Sequence, residues 1–199
     1  MVPFLPFRWV LCFQVPVFQL DAEHRLPHHG FFLWQKLQEF AVRYIQRQVE
    51  QNGFYSVPIE AYTHGEGNVA VSLHGAPIPK GREFHPCFHN HDYFELMYVH
   101  RGHCTNCFQN GEVSLSQGDL LLLNPNVLHD PYTTDEEDVM VNVMLSRELF
   151  RHSLMPMLSD NELFSSFFSS YFYQVNCAQD FLLFSGPSVA RAGRVVVDI

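Results

Sequence analysis

FHNHDYFELMYVHRG (residues 88–102) and LSQGDLLLLNPNVLH (residues 115–129) together decide the fold. Side chains alternate faces along a strand, so the odd positions His89, His91 and Glu95 share one face, with Tyr93 and Met97 beside them. The even positions Phe94, Leu96 and Tyr98 are nearly as apolar as the odd ones. A strand apolar on both sides belongs in a sandwich or barrel with something packed outside it. The second stretch turns at Gly118-Asp119, runs through the apolar strand 120–123, breaks at Asn124-Pro125-Asn126 and ends on His129. Three imidazoles and a carboxylate so spaced can close on one point inside a barrel.

Working outward, Asn110-Gly111 is the strongest short hairpin signal, joining strands at 103–109 and 112–116. A further strand is expected over 139–145, and period-two strands over 56–64 and 68–74. Residues 75–81, with Pro77 and Pro79, read as a turn, and 135–138 as an acidic, solvated loop. Helices flank these strands. Residues 31–51 carry Leu33, Leu37, Phe40, Tyr44, Ile45 and Val49 at helical spacing, and Asn52-Gly53 supplies a stop. That stripe reads as packing on its own domain. Ser146 caps a short helix over 147–152, and Asp160 is the expected cap of an aromatic-faced helix over 160–173. Residues 180–184 are a short strand candidate. Many strands followed by helices give a mainly β fold, divided into a leader and amphipathic helix (1–53), a barrel (54–146) and a helical segment with tail (147–199).

Composition excludes some functions. The 199 residues, 47% hydrophobic and 17% charged, fit a globular domain, and 19 phenylalanines imply an aromatic core. A net charge of −9 with only 12 Lys and Arg argues against nucleic-acid binding by this segment, which needs a basic surface to displace phosphate counterions. The five scattered cysteines make no disulfide framework and fit a reducing cytosol. The apolar start, residues 1–20, lacks a basic leader and is broken by prolines and glutamines, so it reads neither as a signal peptide nor as a membrane span. His24, His28 and His29 read as a solvated linker. Cys104-x-x-Cys107 would suit zinc, but residues three apart point to opposite strand faces and no second cysteine pair follows; both read as ordinary strand residues.

His89-x-His91-x3-Glu95-x6-Gly102, followed by Gly118, Pro125 and His129, resembles the two motifs of the cupin superfamily. The resemblance implies a double-stranded β-helix, a small β-barrel whose members often hold a divalent metal with three His and one Glu. The second motif departs: the step from Pro125 to His129 is one residue short, Val127 replaces a common Gly, and the later Asn is absent. Those departures, the phrase Glu95-Leu-x-Tyr-Val and the segment 157–168 resemble the N-terminal sensor domain of AraC-type transcription regulators, over about residues 80–185. This implies a cytoplasmic, dimerising sensor that binds a small effector, a sugar among the candidates. It also implies DNA contact only through a helix-turn-helix half not found in these residues. The expected pocket is His89, His91, Tyr93, Glu95, Met97 and His129, with ligand binding shifting the barrel against the helices at 147–173. The rival is a stand-alone metal cupin, a dioxygenase or sugar isomerase, with His89, His91, Glu95 and His129 as ligands of Fe(II), Mn(II), Ni(II), Zn(II) or Cu(II). Within the regulator branch a metal-free pocket ranks ahead of the metal.

Overall fold

A computed structural model describes residues 43–63, 67–74, 87–158, 160–173, 180–186 and 189. The expectations for 1–42, for the turn at 75–81 and for most of the tail lie outside these residues. The chain divides into two compact units, Met1–Tyr55 and Ser56–Ile199. In the first, residues 43–52 are helical (α1) and Ile45 is buried. Gly53 takes φ +80° and donates its N–H to the Val49 carbonyl at 2.9 Å, the left-handed helix stop expected of Asn-Gly.

Two five-stranded sheets follow. The first runs in the order β1 (Tyr55–Val57), β3 (His89–His91), β8 (His129–Tyr132), β5 (His103–Phe108) and β6 (Gly111–Ser116). The second runs β10 (Phe181–Phe184), β7 (Leu120–Leu123), β4 (Phe94–Arg101), β9 (Val139–Leu145) and β2 (Val69–His74). From β3 to β9 the chain changes sheets at nearly every turn, and only the β5–β6 hairpin stays in one. Gly102 makes one such crossing at φ +75°, where a Cβ would collide with the Asp138 carboxylate. The inner faces meet around Met97, Val99, Leu121, Leu123 and Met140 from one sheet and Cys104 and Leu115 from the other.

The fold is the mainly β, cupin-like architecture expected, with three local corrections. The strand at 56–64 is short: β1 stops at Val57 and Glu60–Thr63 is a helical turn, α2. Pro58 has no N–H to continue a ladder, its carbonyl accepts from Ala61, and Asp92 Oδ1 captures the Ile59 N–H at 2.9 Å. The hairpin register pairs Phe108 with Gly111, so Gln109-Asn110 forms its turn, one residue earlier than expected. Most consequential, His89 and His91 do not share a strand with Glu95. The chain bends at Asp92-Tyr93, leaving the histidines in the first sheet and Glu95 in the second.

Helices cover the outer face of the second sheet. Arg147–Leu149, a π-helical stretch Phe150–Leu154 and Met155–Leu158 form one run, α3. It is capped as expected by Ser146, whose Oγ accepts from the Leu149 N–H at 3.1 Å. In α4 (Glu162–Tyr173) Asn161 rather than Asp160 accepts from the first amides, those of Leu163 and Phe164. Phe150, Phe167 and Phe168 pack on Phe94, Leu122 and Leu182, all buried. Phe94 lies 4.1 Å from Phe150 and 5.7 Å from Phe168 between ring centroids.

Candidate functional site

The sheet crossing at Asp92-Tyr93 builds the site. It lets His91, at the end of β3, face Glu95, at the start of β4, across the interior. His129 opens β8 beside β3, with its Cα paired to that of His89. The His91 Nε2 to Glu95 Oε2 distance is 3.2 Å, and His129 Nε2 to the same oxygen is 3.5 Å. One ligand-capable atom from each of His91, Glu95 and His129 lies within 4.8 Å of the others, and all three residues are buried.

The rest of the expected set surrounds this group without joining it. The His89 ring packs tilted against His129, ring centroids 4.3 Å apart. Tyr93 stacks almost parallel on His91 at 4.2 Å. Met97 lies two residues beyond Glu95 on the same face and accepts a contact from Asn106 Nδ2 at 3.4 Å.

Hydrogen bonds on the far side of each ring assign the tautomers. His91 Nδ1 lies 2.7 Å from the Tyr93 carbonyl, and His129 Nδ1 lies 3.3 Å from Asn106 Oδ1. Both partners are acceptors, so each Nδ1 carries the hydrogen and donates it. In the neutral imidazole each Nε2 then presents a lone pair toward a carboxylate oxygen. Electron pairs this close repel unless a positive charge or a hydrogen-bond donor stands among them. A metal bound at about 2.0–2.2 Å sets neighbouring ligand atoms about 3–3.5 Å apart, and anchored Nδ1–H groups are the usual outer support of metal-binding histidines. The residues present therefore fit a divalent metal, held by His91, Glu95 and His129.

Two site residues escaped the sequence reading. Asn106 orients His129. Asn142, on β9, has Met97 and Ser72 as its Cα partners, so it shares their inner face. Its Oδ1 is buried and has no hydrogen-bond partner among the described residues. A lone amide in the apolar strand VMVNVML was the signal that could have found it. Cys104 and Cys107 are both buried in β5, in line with their reading as strand residues.

At the same end of the barrel lies a groove of about 470 Å³. It is lined by the β5–β6 turn, by Asn126–Leu128 and by Asp180-Phe181. The register fixes this placement: Phe108 pairs with His129, and Leu123 pairs with both Glu95 and Phe181. No helix among the described residues is long and apolar enough to cross a membrane.

Fold and site together define a cupin-type barrel with an interior histidine–carboxylate group. Within that class, residues 79–148 match the AraC-like ligand binding domain. Among solved structures the chain is similar to ToxT from Vibrio cholerae at 14% identity, with a TM-score of 0.44 over 65% of this chain and 48% of that one. A second ToxT structure, with unsaturated fatty acid bound, matches at 14% identity and TM-score 0.41 over 66% and 47%. A cupin-2 domain containing protein from Shewanella frigidimarina matches at 18% identity and TM-score 0.32 over 40% and 72%. The similarity thus spans about half the length of the ToxT chains. No curated protein sequence matches this chain significantly.

Proposed function

We propose that this chain senses a small effector for a transcription regulator of the AraC type, in the cytoplasm and as a homodimer. The observation that supports this most is the convergence of His91, Glu95 and His129 inside the segment that matches the ligand-binding family. The effector enters the barrel between the sheets and meets these three residues, with His89, Tyr93 and Met97 around them. Phe94 directly precedes Glu95 and faces the helices, so a ligand that moves Glu95 also moves the ring against which Phe150 and Phe168 pack. That gives the barrel a route to α3 and α4, and through them to a helix-turn-helix half elsewhere in the regulator. A net charge of −9 with only 12 Lys and Arg argues against DNA contact by this segment itself.

The test is a reporter assay with the full-length regulator, comparing wild type with the His91→Ala, Glu95→Ala double variant. Loss of the effector response with retained folding supports the reading. An unchanged response rules it out.

The paired Nδ1 anchors favour one second reading, a metal-dependent cupin enzyme. His91, Glu95 and His129 would hold the ion, which supplies Lewis acidity or an activated water when bound. The chain's own part is to fix both rings through Tyr93 and Asn106 and to keep bulk water out. Elemental analysis of the purified protein separates the readings: one equivalent of metal, lost in His91→Ala, supports the enzyme.

A further inference from the structure

We infer that the groove at the site end of the barrel is a ligand site of its own. It takes a small aromatic cation, with the ring against Phe108 and Phe181 and the ammonium group near Glu112 and Asp180. This goes beyond the sensing reading and uses neither Glu95 nor the buried histidines.

The groove lies on a seam. Among the described residues β6 is an edge strand of the first sheet and β10 an edge strand of the second, so no ladder joins them. Phe108 of β5 and Phe181 of β10 bridge the seam instead, with ring centroids 4.8 Å apart and planes 18° from parallel. Both rings pack against the inner core but are only half-buried, which leaves aromatic surface facing the groove. Ring pairs gain more than their buried area alone supplies, and a guest ring extends the pair. The groove's volume of about 470 Å³ falls within the range of small-molecule sites.

Charge on this seam has one sign. The charged residues of its described lining are Glu112 and Asp180, both exposed. The ion pairs among the described residues engage neither. Both sit on fixed backbone: Glu112 pairs with Cys107 in the β5–β6 ladder, and the Asp180 carbonyl accepts from the Asn124 N–H at 3.1 Å. A cation gains from the carboxylates and from the ring faces, whereas an anion is repelled by both. Asn126 is a second, independent mark of a ligand site. It lines the same groove, takes φ +69° and donates its N–H to the His91 carbonyl at 2.8 Å. Residues other than glycine held in this left-handed conformation cluster at ligand sites.

The test is a ¹H–¹⁵N NMR titration of the full chain at low salt. The probes are 2-phenylethylammonium, 3-phenylpropanoate, 2-phenylethanol and butylammonium. Phenylethylammonium shifts the amides of residues 108–113, 126–128 and 180–181. It binds about fivefold tighter than the anion or the alcohol, the scale of two exposed ion pairs. It binds about threefold tighter than butylammonium, which lacks the ring. Glu112→Gln with Asp180→Asn, folded by circular dichroism, removes the preference for charge. Phe181→Leu removes the preference for the ring, and the exposed pair still decides the matter if that variant does not fold. Equal or tighter binding of the anion overturns the inference, and so do shifts centred outside the groove. A folded variant of either kind that keeps the preference it should lose also overturns it. So does the lack of any binding of phenylethylammonium up to about 10 mM, a concentration at which even weak fragments register. None of these outcomes bears on the sensing reading, whose test lies at His91 and Glu95.

Discussion

On the outer face of the second sheet, Phe94 is packed by Phe150, Phe168, Tyr171 and Phe172. One residue along the same strand, on the inner face, Glu95 meets two imidazoles. The outer face is aromatic and filled, and it joins sheet to helices through interdigitated rings. The inner face spends buried positions on Glu95, Asn142 and, from the opposite sheet, His91, Asn106 and His129. Burying polar groups costs free energy unless each finds a partner. The difference teaches where stability and function are separated in this molecule, by the alternation of a single strand.

Mutation can break that separation, and the largest effect belongs to the outer face. Phe168 is buried and touches Phe94, Phe150, Phe164 and Phe167. Phe168→Ala removes the ring from the middle of the cluster and costs about 3–5 kcal/mol. Urea unfolding measures it. A loss below about 1 kcal/mol would show that the helices are loosely attached and that the outer face is not the stabilising one.

Next comes the end of the barrel remote from the site. Asp138 receives backbone N–H bonds from His103 at 2.9 Å, Asp135 at 2.9 Å and Thr134 at 3.2 Å. Burial raises its carboxyl pKa, but these three donors outweigh burial and hold it below the ordinary carboxylate value. A lowered folded-state pKa gives stability that is present above the unfolded pKa and lost as pH falls through the folded one. Asp138→Asn should cost about 1.5–3 kcal/mol at neutral pH. The variant should also lose less further stability than wild type between about pH 4 and pH 2, within the carboxylate range. Parallel acid-unfolding curves for the two proteins would remove Asp138 from this role.

The inner face carries a prediction of opposite sign. Asn142→Leu replaces a buried amide whose Oδ1 lacks a partner among the described residues by an apolar group of similar size. Stability should hold or rise by about 1 kcal/mol in denaturant unfolding, because removing an unsatisfied buried acceptor relieves a desolvation cost. A loss of more than about 2 kcal/mol would make Asn142 a structural residue and collapse the contrast between the faces.

Much of this contrast was legible in the sequence. The strands at 120–123 and 139–145, the hairpin around Asn110 and the caps at Gly53 and Ser146 follow from local chemistry, and local chemistry formed them. The ligand-capable residues were visible for the same reason, since His and Glu are rare on an apolar strand face. What the pattern could not show was the break at Asp92-Tyr93. Alternation of period two runs unbroken through His89, His91 and Glu95, whether or not the chain changes sheets between them. The bend is held by long-range bonds, Ile59 N–H to Asp92 Oδ1 and Arg147 Nε–H to the Asp92 carbonyl. Asn142 was overlooked because one amide in an apolar strand declares its face only when Met97 lies beside it.

Arg147 sets the smallest and most discriminating test, since it links the two faces. Its Nε donates to the Asp92 carbonyl at 2.6 Å, and its guanidinium lies over the Tyr171 ring at 5.7 Å. The first contact holds the bend that aims His91 at Glu95, and the second touches α4. Arg147 is exposed, so Arg147→Met should cost only about 0.5–1 kcal/mol, the range of a solvent-exposed cation–π contact. If the bend merely closes a loop, ligand affinity will follow that small loss and nothing more. If Arg147 transmits between the faces, the variant will keep its ligand affinity within a few fold while the helices lose their response to ligand. Hydrogen exchange of the α4 amides with and without ligand reads that response directly: ligand-dependent protection in wild type, absent in Arg147→Met, establishes the link, and equal protection in both severs it.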